Sequence, residues 1–128
     1  FNRLTKIGGH FGPNFGMVEA EIALHYVFNS PTDQFVFDVS HQSYPHKILT
    51  GRKAGYIYDE HFLEDSGYTN PDESEHDLFN VGHTSTSISL ASGLVKARDL
   101  KGEKRSGNTI KHLISIMKIY QLEKCLLL

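Results

Sequence analysis

Histidine is the side chain whose charge changes most readily near neutral pH. This chain of 128 residues carries eight, with a single cysteine and no tryptophan. Their neighbours decide what chemistry they could do. His10 follows Gly8-Gly9, a pairing that means close backbone approach. Asp38, His41, His46 and Lys47 fall close together, a set suited to proton transfer or phosphate contact. The same set also reads as a polar loop behind a strand. His41 and His46 stand five apart, a poor fit to two ligands on one helical face, and no cysteine pair supports zinc. Gly82-His83-Thr84-Ser85-Thr86-Ser87 precedes an apolar-periodic run, and backbone N–H groups at a helix start, with hydroxyls alongside, form an anion site. A plain capped helix with a glycine turn explains the segment too, and no Walker-type lysine follows the glycine. Glu73, Glu75 and Asp77 could bind a cation, although charge runs are usually solvated surface and the spacing is not that of an EF-hand loop. His25, His61, His76 and His112 read as surface or internally satisfied histidines.

The elements that must position these residues are legible in outline. Phe1 to Phe15 is glycine-punctuated and reads as a loop, with no initiating Met and no signal-type segment, and the chain reads as a piece of something longer. Val18, Ile22 and Tyr26, with Ala23 and Val27 beside them, predict an amphipathic helix to about Phe28. Asn29-Ser30-Pro31-Thr32-Asp33 ends it. Gln34 to Val39, built on Phe35-Val36-Phe37, predicts a strand of a buried parallel sheet. Ligands in open α/β sheets bind at the carboxyl ends of strands, which is where Asp38, Ser40 and His41 lie. Pro45 suits the first turn of a short helix through Ile48 and Leu49. Residues 52–80 show no sustained period and read as a functional or mobile segment. A helix follows the glycine-hydroxyl turn and should end near Leu100, and Asn108 to Met117 offers a last strand.

Composition excludes several classes. Thirteen Lys+Arg against fifteen Asp+Glu give a formal charge of −2, which argues against a nucleic-acid protein. Six Tyr and eight Phe are too many for a disordered chain, and 39% hydrophobic residues furnish one core. One cysteine, Cys125, excludes an internal disulfide framework and fits a cytoplasmic protein. No apolar run approaches the ~20 residues that cross a bilayer, so no membrane partner is expected.

Taken in order, the pieces match something specific. Gly8-Gly9-His10, Gly16-x-Val18-Glu19 and Ala23-Leu24-His25-Tyr26-Val27-Phe28 precede Phe37-Asp38-Val39-Ser40-His41-Gln42. Tyr44-Pro45-His46-Lys47-Ile48-Leu49-Thr50-Gly51-Arg52, Gly67-Tyr68, Ser74-Glu75-His76-Asp77 and Val81 to Ser89 complete the set. The chain resembles the N-terminal part of the 1-deoxy-D-xylulose-5-phosphate synthases, thiamine-diphosphate enzymes of the transketolase group. The stretch from His41 to Arg52 is the most specific, since transketolases proper lack it. The resemblance implies an α/β, three-layer thiamine-diphosphate-binding fold with a mainly parallel sheet, here incomplete: residues 1–108 as a partial domain and 109–128 as a tail outside the family pattern. It implies decarboxylative condensation of pyruvate with D-glyceraldehyde 3-phosphate, in isoprenoid, thiamine and pyridoxal synthesis, by a homodimer. By the same resemblance His10 and His41 are catalytic, and His41, Gly82, His83 and Thr84 contact thiamine diphosphate.

The chain also departs from that pattern. Phe11-Gly12-Pro13-Asn14 stands where many members have an Ala-Ser-Gly stretch, Ser40 where Gly is common, and Thr84 where Ser is common. The family's last strand here leads into Gly-Asp-Gly, whose Asp binds Mg2+, whereas this chain has neither Asp nor Gly after Gly107. Metal ligands are therefore absent, as is the family's catalytic glutamate, which lies in a later domain. The expectation is a fragment inactive alone, read from a truncated or frame-broken gene. A non-catalytic module binding a phosphorylated ligand or a partner chain is the alternative.

Overall fold

A computed structural model describes residues 1–102 and the backbone of residues 113–116. The stretch 1–15, expected as a loop, instead holds two short helices, α1 (Asn2–Ile7) and α2 (Phe11–Phe15), with the glycine signal confined to Gly8 and Gly9 between them, both with positive φ. A Cβ on Gly9 would lie 2.9 Å from the Tyr44 hydroxyl, so only glycine lets the chain pass here. The predicted amphipathic helix is α3 (Val18–Val27). Glu19, exposed in its first turn, is the acidic residue that the helix dipole favours there.

Its buried face is not the stripe the periodicity suggested. Ile22 is 51% exposed and Tyr26 90% exposed, with Val27 exposed beside them. The face turned inward is Met17, Ala20, Leu24 and Phe28, which pack on Phe35 and Phe37 as the core cluster. Two apolar stripes compete on this helix, and the period alone does not say which one meets the strand.

Strand β1 (Gln34–Phe37) runs through that core with Phe35, Val36 and Phe37 all buried. Consecutive burial means both faces are covered, as in parallel sheets. It pairs in parallel with β2 (Leu113–Ile116), in register Gln34 with Leu113 and Phe37 with Ile116. Between the two strands in sequence lies α6 (Ser87–Leu100), which contacts both, as a parallel crossover requires. The helix ends at Leu100 as expected. The α/β character and the parallel pairing are thus present among the described residues. The tail expectation falls mostly outside them, apart from the four β2 residues, an apolar run that serves as a strand.

After β1 comes α4 (Tyr44–Lys47), with Pro45 in its first turn as the sequence predicted. It runs on into a π-type turn, Ile48–Arg52, closed by Gly51 at φ 102°. Residues 52–80, expected to be structureless, instead hold α5 (Ala54–Ile57) and a 3-10 turn (Asp59–His61). The rest of that stretch is fixed by side-chain bonds, described below. No helix among the described residues is long and apolar enough to cross a membrane.

Candidate functional site

The loop after α1 and the loop after β1 meet at a pair of histidines. The His10 and His41 rings stand edge to face, centroids 5.1 Å apart at 86°. His10 is bracketed by hydroxyls: Tyr44 Oη lies 3.5 Å from its Nδ1 and Tyr68 Oη 3.5 Å from its Nε2, at the outer limit of hydrogen bonding. Either hydroxyl can donate or accept, so both neutral tautomers of His10 and its protonated form find partners in the same frame. That is the provision a proton-exchanging imidazole needs.

Buried Asn14 is what holds the two loops together. Its Nδ2 donates to the His10 carbonyl at 2.5 Å and to the His41 carbonyl at 2.8 Å, while its Oδ1 accepts from Tyr44 N at 2.8 Å. One side chain thus uses both donors and its acceptor to set His10, His41 and Tyr44. The sequence predicts a glycine-proline loop here, whereas Asn14 lies in helix α2. An asparagine inside such a loop, with its capacity to bond backbone on both sides, was the available signal.

The second expected site segment is differently built. Gly82, His83 and Thr84 are exposed. The N–H groups behind them, expected to receive an external anion, are taken by the chain's own carboxylate. Asp38, 5% exposed, accepts from Ser85 N at 3.0 Å, Thr86 N at 2.9 Å and Ser87 N at 3.2 Å. Burial opposes ionisation of Asp38, yet these donors outweigh it and hold its carboxyl below the usual carboxylate range. Asp38 is therefore not available for proton transfer, and the helix start is an anion site whose anion is internal.

His46 and Lys47, expected to move protons or touch phosphate, are wholly buried. They belong to a network under the surface. His46 Nδ1 meets His25 Nε2 at 2.9 Å and its Nε2 meets Asp77 at 3.1 Å. Arg52 reaches both Asp77 oxygens, at 2.6 and 2.8 Å, and Lys47 reaches Glu73 at 2.5 Å. The acidic run is thus not solvated surface: Glu73 and Asp77 face inward and pair, and only Glu75 is exposed. Burial alone would raise the Asp77 pKa, but Arg52 and His46 hold it well below the carboxylate range. Burial lowers the Lys47 pKa against the opposing pull of Glu73. Below them Glu21, 1% exposed, accepts from His46 N at 2.5 Å, and burial pushes its carboxyl up to about 8. Burial, then the neighbouring His46 and His76, pulls His25 down to about 4.

The other histidines fall as expected. His76 Nδ1 meets Ser30 Oγ at 2.8 Å, and exposed His61 meets Glu64 at 2.7 Å. His112 lies outside the described residues. The structure therefore joins His10 with His41, ties the Gly82–Thr84 turn to the His41 loop through Asp38, and removes His46 and Lys47 from contact with solvent.

A thiamine-diphosphate site needs donors for the diphosphate and ligands for a divalent metal. No group of three or more His, Cys, Asp or Glu among the described residues could hold a metal ion. The helix N–H groups suited to phosphate are filled by Asp38. The described residues do not fit the metal-diphosphate end of that cofactor. What they offer is the imidazole pair and an exposed glycine turn.

Comparison with known proteins bears on the same residues. A family model described as 1-deoxy-D-xylulose-5-phosphate synthase matches residues 1–113. Proteins of that name from Caldanaerobacter subterraneus and Desulforudis audaxviator are each 53% identical, over 102 and 103 residues, covering 80% of this chain. One from Listeria monocytogenes is 57% identical over 100 residues, covering 77% of it. The chain spans about 16% of the length of these relatives. The match takes in the histidine pair, the Asn14 junction, the Asp38-capped turn and the buried network alike, and on that ground the chain belongs to the 1-deoxy-D-xylulose-5-phosphate synthase family.

Proposed function

We propose that this chain is the proton-handling part of a thiamine-diphosphate-dependent synthase that condenses pyruvate with D-glyceraldehyde 3-phosphate, releasing carbon dioxide. The observation that carries the reading is the His10–His41 pair, with Tyr44 and Tyr68 hydroxyls on the two nitrogens of His10. Such a condensation creates and quenches oxyanions near neutral pH, which asks for neutral donors that can exchange protons. His10 serves as the exchanging group through either ring nitrogen, and His41, buried against it, would contact substrate and cofactor. Gly82, His83 and Thr84 supply an exposed rim for the cofactor. Metal and diphosphate binding, with Mg2+, depends on residues beyond those described. Two chains of a homodimer and their further domains would complete each site, in the cytoplasm.

The test is a chimera in which residues 1–102 of this chain replace the corresponding stretch of the Caldanaerobacter relative. The reading predicts formation of 1-deoxy-D-xylulose 5-phosphate from the two substrates. It also predicts a loss of ~100-fold or more in kcat/KM for His10→Ala or His41→Ala, the scale of acid–base contributions. A folded chimera with no activity, or full activity in both variants, would overturn it.

A further inference from the structure

Three non-glycine residues among those described have positive φ, and all sit in two facing segments: Val39 (62°), Ser40 (69°) and Ser85 (64°). Left-handed backbone is costly for such residues and persists only where surroundings over-determine it. Here the surroundings are two side chains. Asp38 takes the N–H groups of Ser85, Thr86 and Ser87. Ser40, fully buried, donates from Oγ to the Val81 carbonyl at 2.8 Å and accepts from Thr69 N at 3.0 Å. The turn Gly82–Thr84 is thus bonded immediately before and immediately after to the loop that presents His41. The three turn residues themselves are exposed and make no contact with Asp38 or Ser40 in the bonds described.

Ser40 is the residue that draws the arrangement together. At φ 69° a glycine would be unstrained; the serine stands there against its own backbone preference, and its hydroxyl joins three segments: 38–41, 69 and 81. We propose that Asp38 and Ser40 are positioning residues, a buried clamp that fixes the exposed turn Gly82–Thr84 relative to His41. That the turn serves a cofactor rests on the reading above; the clamp itself does not.

The experiment uses the 128-residue chain and no cofactor, so it fails or succeeds independently of that reading. Amide resonances and hydrogen exchange are compared in wild type, Asp38→Asn, Asp38→Ala and Ser40→Ala, with Phe35 and Phe37 amides as the control for intact structure. Asparagine keeps the shape but loses the charge and one acceptor, so exchange at Ser85 to Ser87 should speed up by ~10-fold or more. Gly82, His83 and Thr84 resonances should shift or broaden although none touches the altered side chain. Ser40→Ala should disturb Thr69 and Gly82 while sparing Ser87. In Asp38→Ala, added formate, and not chloride at equal ionic strength, should restore the Ser85–Ser87 signals by replacing the missing carboxylate. Wild-type exchange and unmoved turn resonances in Asp38→Asn, or equal effects of formate and chloride in Asp38→Ala, would overturn the proposal. Loss of the Phe35 and Phe37 signals in Asp38→Ala would leave the decision to Asp38→Asn and Ser40→Ala, which alter no volume that the core relies on.

Discussion

Glu21 is an acid placed where it cannot comfortably ionise. It is buried, its Oε2 accepts from the His46 backbone N–H, and its Oε1 has no partner among the described residues. Burial raises its pKa from an ordinary 4.5 to about 8. The sign follows from proton counts: between those two values the folded chain holds a proton that the unfolded chain has released, so stability falls as pH rises. From 4.5 to 7 is 2.5 units, and at ~1.4 kcal/mol per unit the fold loses roughly 3 kcal/mol by pH 7. Glu21→Gln keeps the acceptor for His46 N–H, presents an amide where the protonated hydroxyl stood, and does not titrate. The variant should therefore match wild type, apart from a constant offset, near pH 4.5 and gain on it steadily up to pH 8. At pH 7 the gain corresponds to a rise of ~1–3 M in urea midpoint for a chain this size. Urea unfolding followed by circular dichroism at pH 4.5, 6, 7 and 8 reads it directly. His25 and the other groups titrate in both proteins, so the difference between the curves isolates Glu21. A gap between variant and wild type that does not change with pH would show that Glu21 holds no such proton in the fold.

His25 pulls the other way. Its folded pKa of about 4 lies below the ordinary 6.5, so the unfolded chain takes up a proton first and stability is lost as pH falls from 6.5 toward 4. Half-open to solvent, it is worth ~1–2 kcal/mol after screening, and His25→Gln should flatten that limb of the stability–pH curve; an unchanged slope would count against it. Asp77→Asn removes the carboxylate charge that faces Arg52 and His46 in a buried site, leaving Arg52 only Glu73 at 3.3 Å, and should cost ~1–3 kcal/mol in chemical denaturation. Asn14→Asp keeps the acceptor for Tyr44 N but loses both donors, and should cost ~1–3 kcal/mol while shifting the His10 and His41 ring resonances together. If only one histidine responds, the two loops are not joined through Asn14.

The elements were readable because their signals are local. Phe35-Val36-Phe37 declares a buried strand, Pro45 starts α4, and the run after Ser87 carries its own period to Leu100. Which face of α3 is buried was not readable, because Ile22 and Tyr26 compete with Met17, Ala20 and Leu24 at equally good spacing, and only the strand decides. The fate of charges was hidden for the same reason. Glu73 and Asp77 look like solvated surface until Lys47 and Arg52, more than twenty residues earlier, are brought beneath them. Asp38 looked like a catalytic candidate because its partners, Ser85 to Ser87, lie more than forty residues away. The histidine pair was legible only through motif resemblance, since no spacing rule places His10 against His41.

The described residues bring the imidazole pair and the clamped turn but not the metal-diphosphate end of a cofactor site. The most direct measurement is calorimetric titration of the folded 128-residue chain with thiamine diphosphate and Mg2+. Binding no tighter than ~1 mM, little more than 4 kcal/mol, is expected. A dissociation constant in the micromolar range would contradict it.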